Sequence, residues 1–287
     1  MGSSVYLETT AVIDASFKKF PALLAILESS DKRFTSQYAK MEIKKGFLNN
    51  LVLLHNKTVQ LEKWSDLQQY ISNLSSGGRR YQLGAILDAF TKLSTELENR
   101  RPDTFVDKYG VIHPLKILKR DLESFLRIWI RRFLPKIDKL VDDVLNPMKC
   151  FPDIESPRQV GNLFENKPYK CPESNIECSI KNFFAENLNE FNKILRQLEK
   201  IPNDEMDSET SHRRSALKKI IKKRMRSSTM IFSNKSQGEE WCWACGDAIH
   251  AVLSPSDASV VTRNEKHFKP ICLAINRDYQ AYRSPTT

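Results

Sequence analysis

Hydrophobic and polar positions along this chain follow two different periods, and the changes between them locate its elements. Val5-Tyr6-Leu7 is a short apolar run of strand type. It ends in an acid, Glu8, and passes through Thr9-Thr10 into Ala11-Val12-Ile13-Asp14, the start of a helix. Phe17, Phe20, Leu23, Leu24 and Leu27 then fall on one helical face, which predicts a helix continuing to residue 27. Thr35 precedes a second helical run over 36–54, with Met41, Ile43, Phe47, Leu51 and Leu54 apolar and Glu42 among them. Ser75-Ser76-Gly77-Gly78 is a break. Helices are predicted over 80–99 and 115–146, the second with Leu115, Leu118, Leu122, Phe125, Leu126, Ile130, Phe133 and Leu134 at helical spacing.

From Asn146 to Cys178 the pattern fails, because prolines 147, 152, 157, 168 and 172 interrupt any helix. A helix over 179–200 follows, then an acidic, polar loop from Asn203 to Thr210, then a basic helix from His212 to Arg226. The last unit runs from Trp241 to Asp278. Strand candidates are 5–8, 259–262, 228–232 and 270–274, and no internal repeat is visible. The pattern therefore predicts an α/β core built from residues 1–60 and 228–287. A mostly α-helical insertion, 61–227, separates the two, with the Pro-rich connection at 146–178 inside it.

Composition narrows the partners. No apolar run approaches the roughly 20 residues that span a bilayer, and no basic segment followed by an apolar one opens the chain, so the expectation is a cytoplasmic protein. The formal net charge of +10 and pI near 9.2 favour polyanions, nucleic acid or an anionic membrane face, without choosing between them. Two helices concentrate that charge: Lys116, Lys119, Arg120, Arg127 and Arg131 on one, Arg213, Arg214, Lys218 and Lys222 on the other. Each has apolar positions on its opposite side, the form expected of a phosphate-contacting surface, although a charge run is also an ordinary solvated face.

The candidate chemistry lies near the C-terminus. Gly246-Asp247-Ala248-Ile249-His250 opens an apolar helix, and the β-branched strand Ser259-Val260-Val261-Thr262 ends at Arg263-Asn264. In a parallel sheet ligands bind beyond the carboxyl ends of the strands, which predicts Asp247 and Asn264 close in space. Glu8, at the end of another strand, suggests a metal-dependent site formed by folding the termini together. His250 and His267 are candidates to assist. Each acid also has a plainer role: Glu8 as a surface residue, Glu42 as an ion-pair partner of Lys45, Asp247 as a helix cap. Cys242-x-x-Cys245 is compatible with zinc binding together with Cys150, Cys171 or Cys178, and equally with buried thiols.

Leu7-Glu8-Thr9-Thr10 followed by apolar residues, Thr35-Ser36 with Glu42, Gly246-Asp247-Ala248-Ile249, and Val261-Thr262-Arg263-Asn264 with Phe268 resemble, in this order, the four motifs of PIN-domain nucleases. The resemblance covers about a third of the chain. It implies a three-layer α/β core with a short parallel sheet, one or two Mg²⁺ or Mn²⁺ ions, and endonucleolytic cleavage of RNA, less often DNA. Under it Glu8, Glu42 and Asp247 hold metal, Asn264 completes the catalytic set, and Thr10 and Thr262 support it. Bacterial toxins and antiphage-defence effectors are the natural setting, and a homodimer is implied; a regulatory protein partner is a separate expectation, from Trp64, Trp129, Trp241 and Trp243 as interface anchors or, equally, core. The chain departs from the family at Glu8, where the family has Asp, and at Asn264, where Asp is common. The first moves a carboxylate by roughly 1.5 Å; the second removes a charge. A non-catalytic PIN-like nucleic-acid-binding or scaffold protein is the alternative.

Overall fold

The computed structural model describes residues 3–18, 20–61, 66–67, 69–70, 72–73, 114–146, 154–167, 179–226 and 242–282, with the backbone alone for 114–118, 179–181 and 223–226. The expected helix over 80–99, the strand at 228–232, the Lys116 side chain and Cys150, Cys171 and Cys178 lie outside the described residues.

The chain divides into two compact units. The first comprises Met1–Met41, Ile137–Ile154 and Lys170–Thr287, the second Glu42–Lys136 and Glu155–Tyr169. These bounds differ from the expected core and insertion, because the helices between 179 and 226 belong to the unit that holds the sheet.

The first unit is built on a five-stranded parallel sheet in the order β3-β2-β1-β6-β7. Its strands are β1 (Ser3–Leu7), β2 (Ser30–Ser36), β3 (Asp143–Leu145), β6 (Ala258–Thr262) and β7 (Tyr279–Ala281). β1 pairs with β2 on one side and β6 on the other. Val5, Tyr6 and Leu7 are all fully buried. Successive strand residues face opposite ways, so both faces of β1 are covered. The chain winds outward from β1 to β2 and β3 and then crosses to β6 and β7. The reversal of strand order falls between β1 and β6, where the carboxyl ends of an open parallel sheet leave a crevice.

Three strands of this sheet are not legible in the hydrophobic pattern. β2 carries Asp31, Lys32 and Arg33, and only its last residues are buried. β3 pairs with Phe34–Ser36 alone, so the front half of β2 is an edge, where charged side chains are the rule. β3 falls where the 115–146 helix was expected to continue; that helix, α5 (Pro114–Leu140), stops earlier. β7 has three residues, too few to show a period. The strand expected at 270–274 is instead the end of a helix, with Pro270 inside it.

The helices follow local chemistry. Glu8 caps α1 (Thr9–Ser16), accepting from the backbone N–H groups of Thr10 at 2.7 Å and Ala11 at 3.2 Å. The helix expected to run on through Phe17 stops there, with Lys18 left-handed at φ 52°. A new helix, α2 (Pro21–Glu28), begins at Pro21, because the residue before a proline avoids the helical region and Phe20 is extended. The run predicted over 36–54 is α3 (Gln37–Ile43), a π turn (Lys44–Leu48) and α4 (Asn49–Gln60).

In the second unit, α4 packs on the hairpin β4 (Arg158–Val160) and β5 (Leu163–Glu165). Its two-residue turn sets Gly161 at φ 59°, the conformation that favours glycine there. Asn56 fixes the hairpin, its amide donating to the Phe164 carbonyl at 2.8 Å and accepting from the Phe164 N–H at 2.9 Å.

Five helices of the first unit surround the site. They are α6 (Ser179–Glu186) followed by α7 (Leu188–Glu199), α8 (Ser208–Arg226), α9 (Gly246–Leu253) and α10 (Glu265–Ala274). α7 buries Phe191, Ile194, Leu195 and Leu198 and packs against α8, α9 and α10. At about 1.5–3 kcal/mol per buried side chain, this stripe holds the starts of those three helices in one neighbourhood. No helix among the described residues is long and apolar enough to cross a membrane.

Candidate functional site

The strand end of β6 sets the geometry. Buried Thr262 accepts the Asn264 backbone N–H on its hydroxyl at 2.9 Å, which turns the chain into α10. Asn264 then meets the ring of His267 one turn on, with Nδ2 2.6 Å from Nδ1. His267 Nδ1 lies 3.4 Å from Asp247 Oδ2 in the first turn of α9. The acid that opens α9 and the amide that ends β6 thus converge on one imidazole. The other ring nitrogen, Nε2, donates to Asp207 Oδ2 at 2.9 Å. Asp207 itself caps α8, accepting the Thr210 N–H at 2.7 Å.

α8 contributes two more groups. Arg213 Nη2 stands 2.5 Å from Asp247 Oδ2 and 3.2 Å from Glu209 Oε1, and Lys266 reaches Asp207 at 3.3 Å. The Arg213 side chain is 4% exposed, against 21% for Asp247 and 66% for Glu209. Among the described residues, Glu209, Asp247 and His267 form the one group of acids and histidines whose ligand atoms all lie within 4.8 Å of one another.

The charges shift each other's proton affinities. Burial alone would raise Asp247, yet Arg213 and then His267 hold its carboxyl below the usual range. Asp207 is likewise opposed by burial and lowered by its hydrogen bonds to Thr210 and His267. Burial would lower His267, but Asp247 and Asp207 outweigh it and raise the imidazole above its ordinary 6.5. A raised histidine stabilises fully below its unfolded value and loses that contribution as pH climbs through the folded one. The lowered carboxylates stabilise above about 3.8 and lose theirs in acid. In chelator-treated protein these groups should therefore contribute most between about 4 and 6.5. Urea midpoints measured across pH should fall on both sides of that window, and His267→Gln should remove the alkaline decline.

A second polar chain runs behind the site. Tyr6 donates to Ser36 Oγ at 2.8 Å, and its oxygen lies 2.9 Å from His250 Nδ1. With Tyr6 donating to Ser36, Nδ1 carries the ring proton, and His250 Nε2 accepts the Thr9 hydroxyl at 3.1 Å. Ser36 also accepts the Ala39 N–H at 3.1 Å, so the chain ties β1, β2, α3, α1 and α9 together. Tyr6→Phe leaves buried His250 and Ser36 short of a partner and should cost about 1–3 kcal/mol, read as a lower urea midpoint.

The structure distributes the other expected residues as follows. Glu8 lies outside the metal-competent group, with both carboxylate oxygens on the start of α1. Glu42 is half-buried on α3 and belongs to the second unit. Thr10 gives its N–H to Glu8. Asp14 is buried, accepting from Tyr282 at 2.9 Å and pairing with Arg263 at 3.3 Å.

Arg213 needs correction as a surface phosphate contact: its carboxylate partners draw it inward. Its neighbours remain at the surface, Arg214 donating to Asn203 at 2.7 Å, Lys218 paired with Glu199 at 3.1 Å and Lys222 exposed. On α5, Lys119 donates to the Leu61 carbonyl at 2.6 Å, Arg127 pairs with Glu123 at 2.5 Å, Arg131 donates to Gln159, and Arg120 is largely exposed. Cys242, Cys245 and Cys272 are buried. Burial pushes Cys245 and Cys272 up to about 12, which opposes a redox or thiolate role for them.

The polar pattern places Asp207 and Glu209 in a loop, whereas the helix begins at Ser208. The signal that places them is the cap: an Asp three residues before Thr210 with a second acid in the first helical turn, ahead of a basic run.

The donor set fits a divalent cation, since two carboxylates and an imidazole face one another and Asp247 Oδ2 is shut off from solvent with no well-aligned hydrogen bond among the described residues. The Arg213 guanidinium supplies the positive charge in this arrangement. No protein-family model, no curated protein and no solved structure matches the chain.

Proposed function

We propose that this chain is a metal-dependent endonuclease of PIN-like type, cutting RNA in preference to DNA. The observation that carries the reading is the convergence of Asp247 and Asn264, from two separate motifs, on His267. The parallel sheet, with its reversal of strand order between β1 and β6, supports it. A divalent ion held at Asp247 would supply a hydroxide at neutral pH and relief of charge on the phosphate. The chain's own residues supply the rest. Thr262 fixes the turn that presents Asn264, Asn264 orients the His267 ring, and His267 holds a proton on Nε2 toward Asp207. The cations of α8, half-buried Arg214 and exposed Lys218 and Lys222, offer a phosphate-backbone track on the same unit. Toxin or antiphage-defence activity is the biological setting we infer from the resemblance.

One feature favours a second reading, a non-catalytic nucleic-acid-binding scaffold. Glu8 is engaged as a cap, and the Arg213 guanidinium already balances Asp247 and Glu209, so the cluster holds together without a metal ion. Incubating the purified chain with labelled single-stranded RNA, structured RNA and DNA, in Mn²⁺, Mg²⁺ or chelator, separates the two. The nuclease cuts only with metal. Intact strands in every lane, with binding that weakens as salt rises, would establish the scaffold instead.

A further inference from the structure

The site contains one group that neither capping nor catalysis by carboxylates explains. Arg213 is almost wholly buried, yet its Nε and Nη1 have no hydrogen-bond partner among the described residues. Only Nη2 is engaged, and it points between Asp247 and Glu209. A buried guanidinium that leaves two donors unsatisfied loses their hydration without return. It is held by Coulomb attraction to two carboxylates, and Asp247 Oδ2 also lacks a well-aligned hydrogen bond. A cation is thus seated in a pocket whose walls are the ligand atoms of Glu209, Asp247 and His267.

The chemistry of those ligands selects the ion. Mg²⁺ favours oxygen donors and retains most of its water, whereas an imidazole beside two carboxylates suits first-row transition dications. Asp207, on Nε2, is an outer partner of the kind that orients metal-bound histidines, whereas Asn264 Nδ2 lies on Nδ1 and gives way when that nitrogen takes the metal. Only one ring nitrogen can bind metal while the other keeps its hydrogen bond. Nδ1 is the nitrogen facing Asp247 and Glu209, and Nε2 is kept by Asp207.

We infer that Glu209, Asp247 and His267 bind one first-row transition-metal dication, with Arg213 occupying the same carboxylates in the metal-free protein as a competing, displaceable cation. This rests on the metal-dependent reading above and deepens it by naming the ligand set, the metal class and the group that must move. Glu209, mostly exposed, is the ligand free to swing. Exchange of the guanidinium for metal makes apparent affinity a difference between two cations' interactions with the same carboxylates.

The test is Mn²⁺ titration of the full chain, followed by loss of the free-ion electron paramagnetic resonance signal, with folding checked by circular dichroism. One Mn²⁺ per chain is expected. Loss of an outer partner of a ligand costs roughly 10–100-fold in affinity, so His267→Ala and Glu209→Gln, which remove ligands, should weaken binding at least tenfold. Arg213→Met should tighten it, and Mg²⁺ should displace Mn²⁺ only in large excess. Binding unchanged in both His267→Ala and Glu209→Gln would overturn the ligand set, as would displacement by equimolar Mg²⁺. Weaker binding in folded Arg213→Met would overturn the competition. Metal bound as described without any strand cleavage would defeat the nuclease reading alone. Metal-dependent cleavage with those two ligand variants binding normally would defeat this inference alone.

Discussion

Arg213→Met should destabilise the metal-free protein by about 3 kcal/mol, the lower end of the range for removing one partner of a buried ion pair. The lower end applies because Glu209 remains mostly in water and can rehydrate, whereas Asp247 is enclosed and already faces His267. The asymmetry is testable within the cluster. Glu209→Gln, which removes only the exposed partner, should cost less than about 1 kcal/mol. The double variant Arg213→Met with Asp247→Asn should recover part of the loss, because it removes both charges of the enclosed pair. Urea unfolding of the four proteins in chelator checks the set. Mn²⁺ should raise the midpoint of Arg213→Met more than that of the unaltered chain, since a ligand that binds only the folded form stabilises it in proportion to its affinity. A methionine variant as stable as the original would show that the guanidinium does not hold the cluster together.

Asp247→Asn should lower metal-dependent cleavage on the order of 10²-fold or more, beyond the roughly 10–100-fold typical of losing an outer partner of a metal ligand. Its effect on folding should be smaller than that of Arg213→Met. Asparagine preserves shape and an acceptor oxygen, and Arg213 keeps Glu209. Asp247 also sits in the first turn of α9, where a carboxylate interacts favourably with the helix dipole, a contribution of about 0.3–1 kcal/mol that the amide forfeits. The two variants therefore separate: one loses stability more than activity per folded molecule, the other activity more than stability. Equal loss of both in Asp247→Asn, measured as cleavage rate and urea midpoint on the same preparation, would mean that Asp247 is a structural ion-pair partner.

What the sequence could reveal follows from which forces are local. β1 and β6 were legible because Val5-Tyr6-Leu7 and Val260-Val261 lie in the sheet's covered centre, where burial demands unbroken apolar runs. β2 was not, because Asp31-Lys32-Arg33 owes its strand to backbone pairing with β1 rather than to side-chain burial. The meeting of Asp247 and Asn264 followed from the position of each at the carboxyl side of one strand, and His267 from its place one turn later. Asp207, Glu209 and Arg213 were misplaced because α7 brings α8 against α9 and α10 through packing between distant segments, which no local pattern records. Arg213 illustrates the limit: in a basic run it has the spacing of a surface cation, and only the carboxylates brought to it by the fold make it a buried one.

Cleavage of labelled single-stranded RNA in Mn²⁺, measured for the unaltered chain and for Asp247→Asn at equal folded concentration, tests the site most directly. Cutting should vanish with chelator and fall about a hundredfold or more in the variant, past the roughly 10–100-fold of losing an outer partner of a ligand. Equal cutting by both proteins, or cutting that persists in chelator, would contradict a metal-dependent site centred on Asp247.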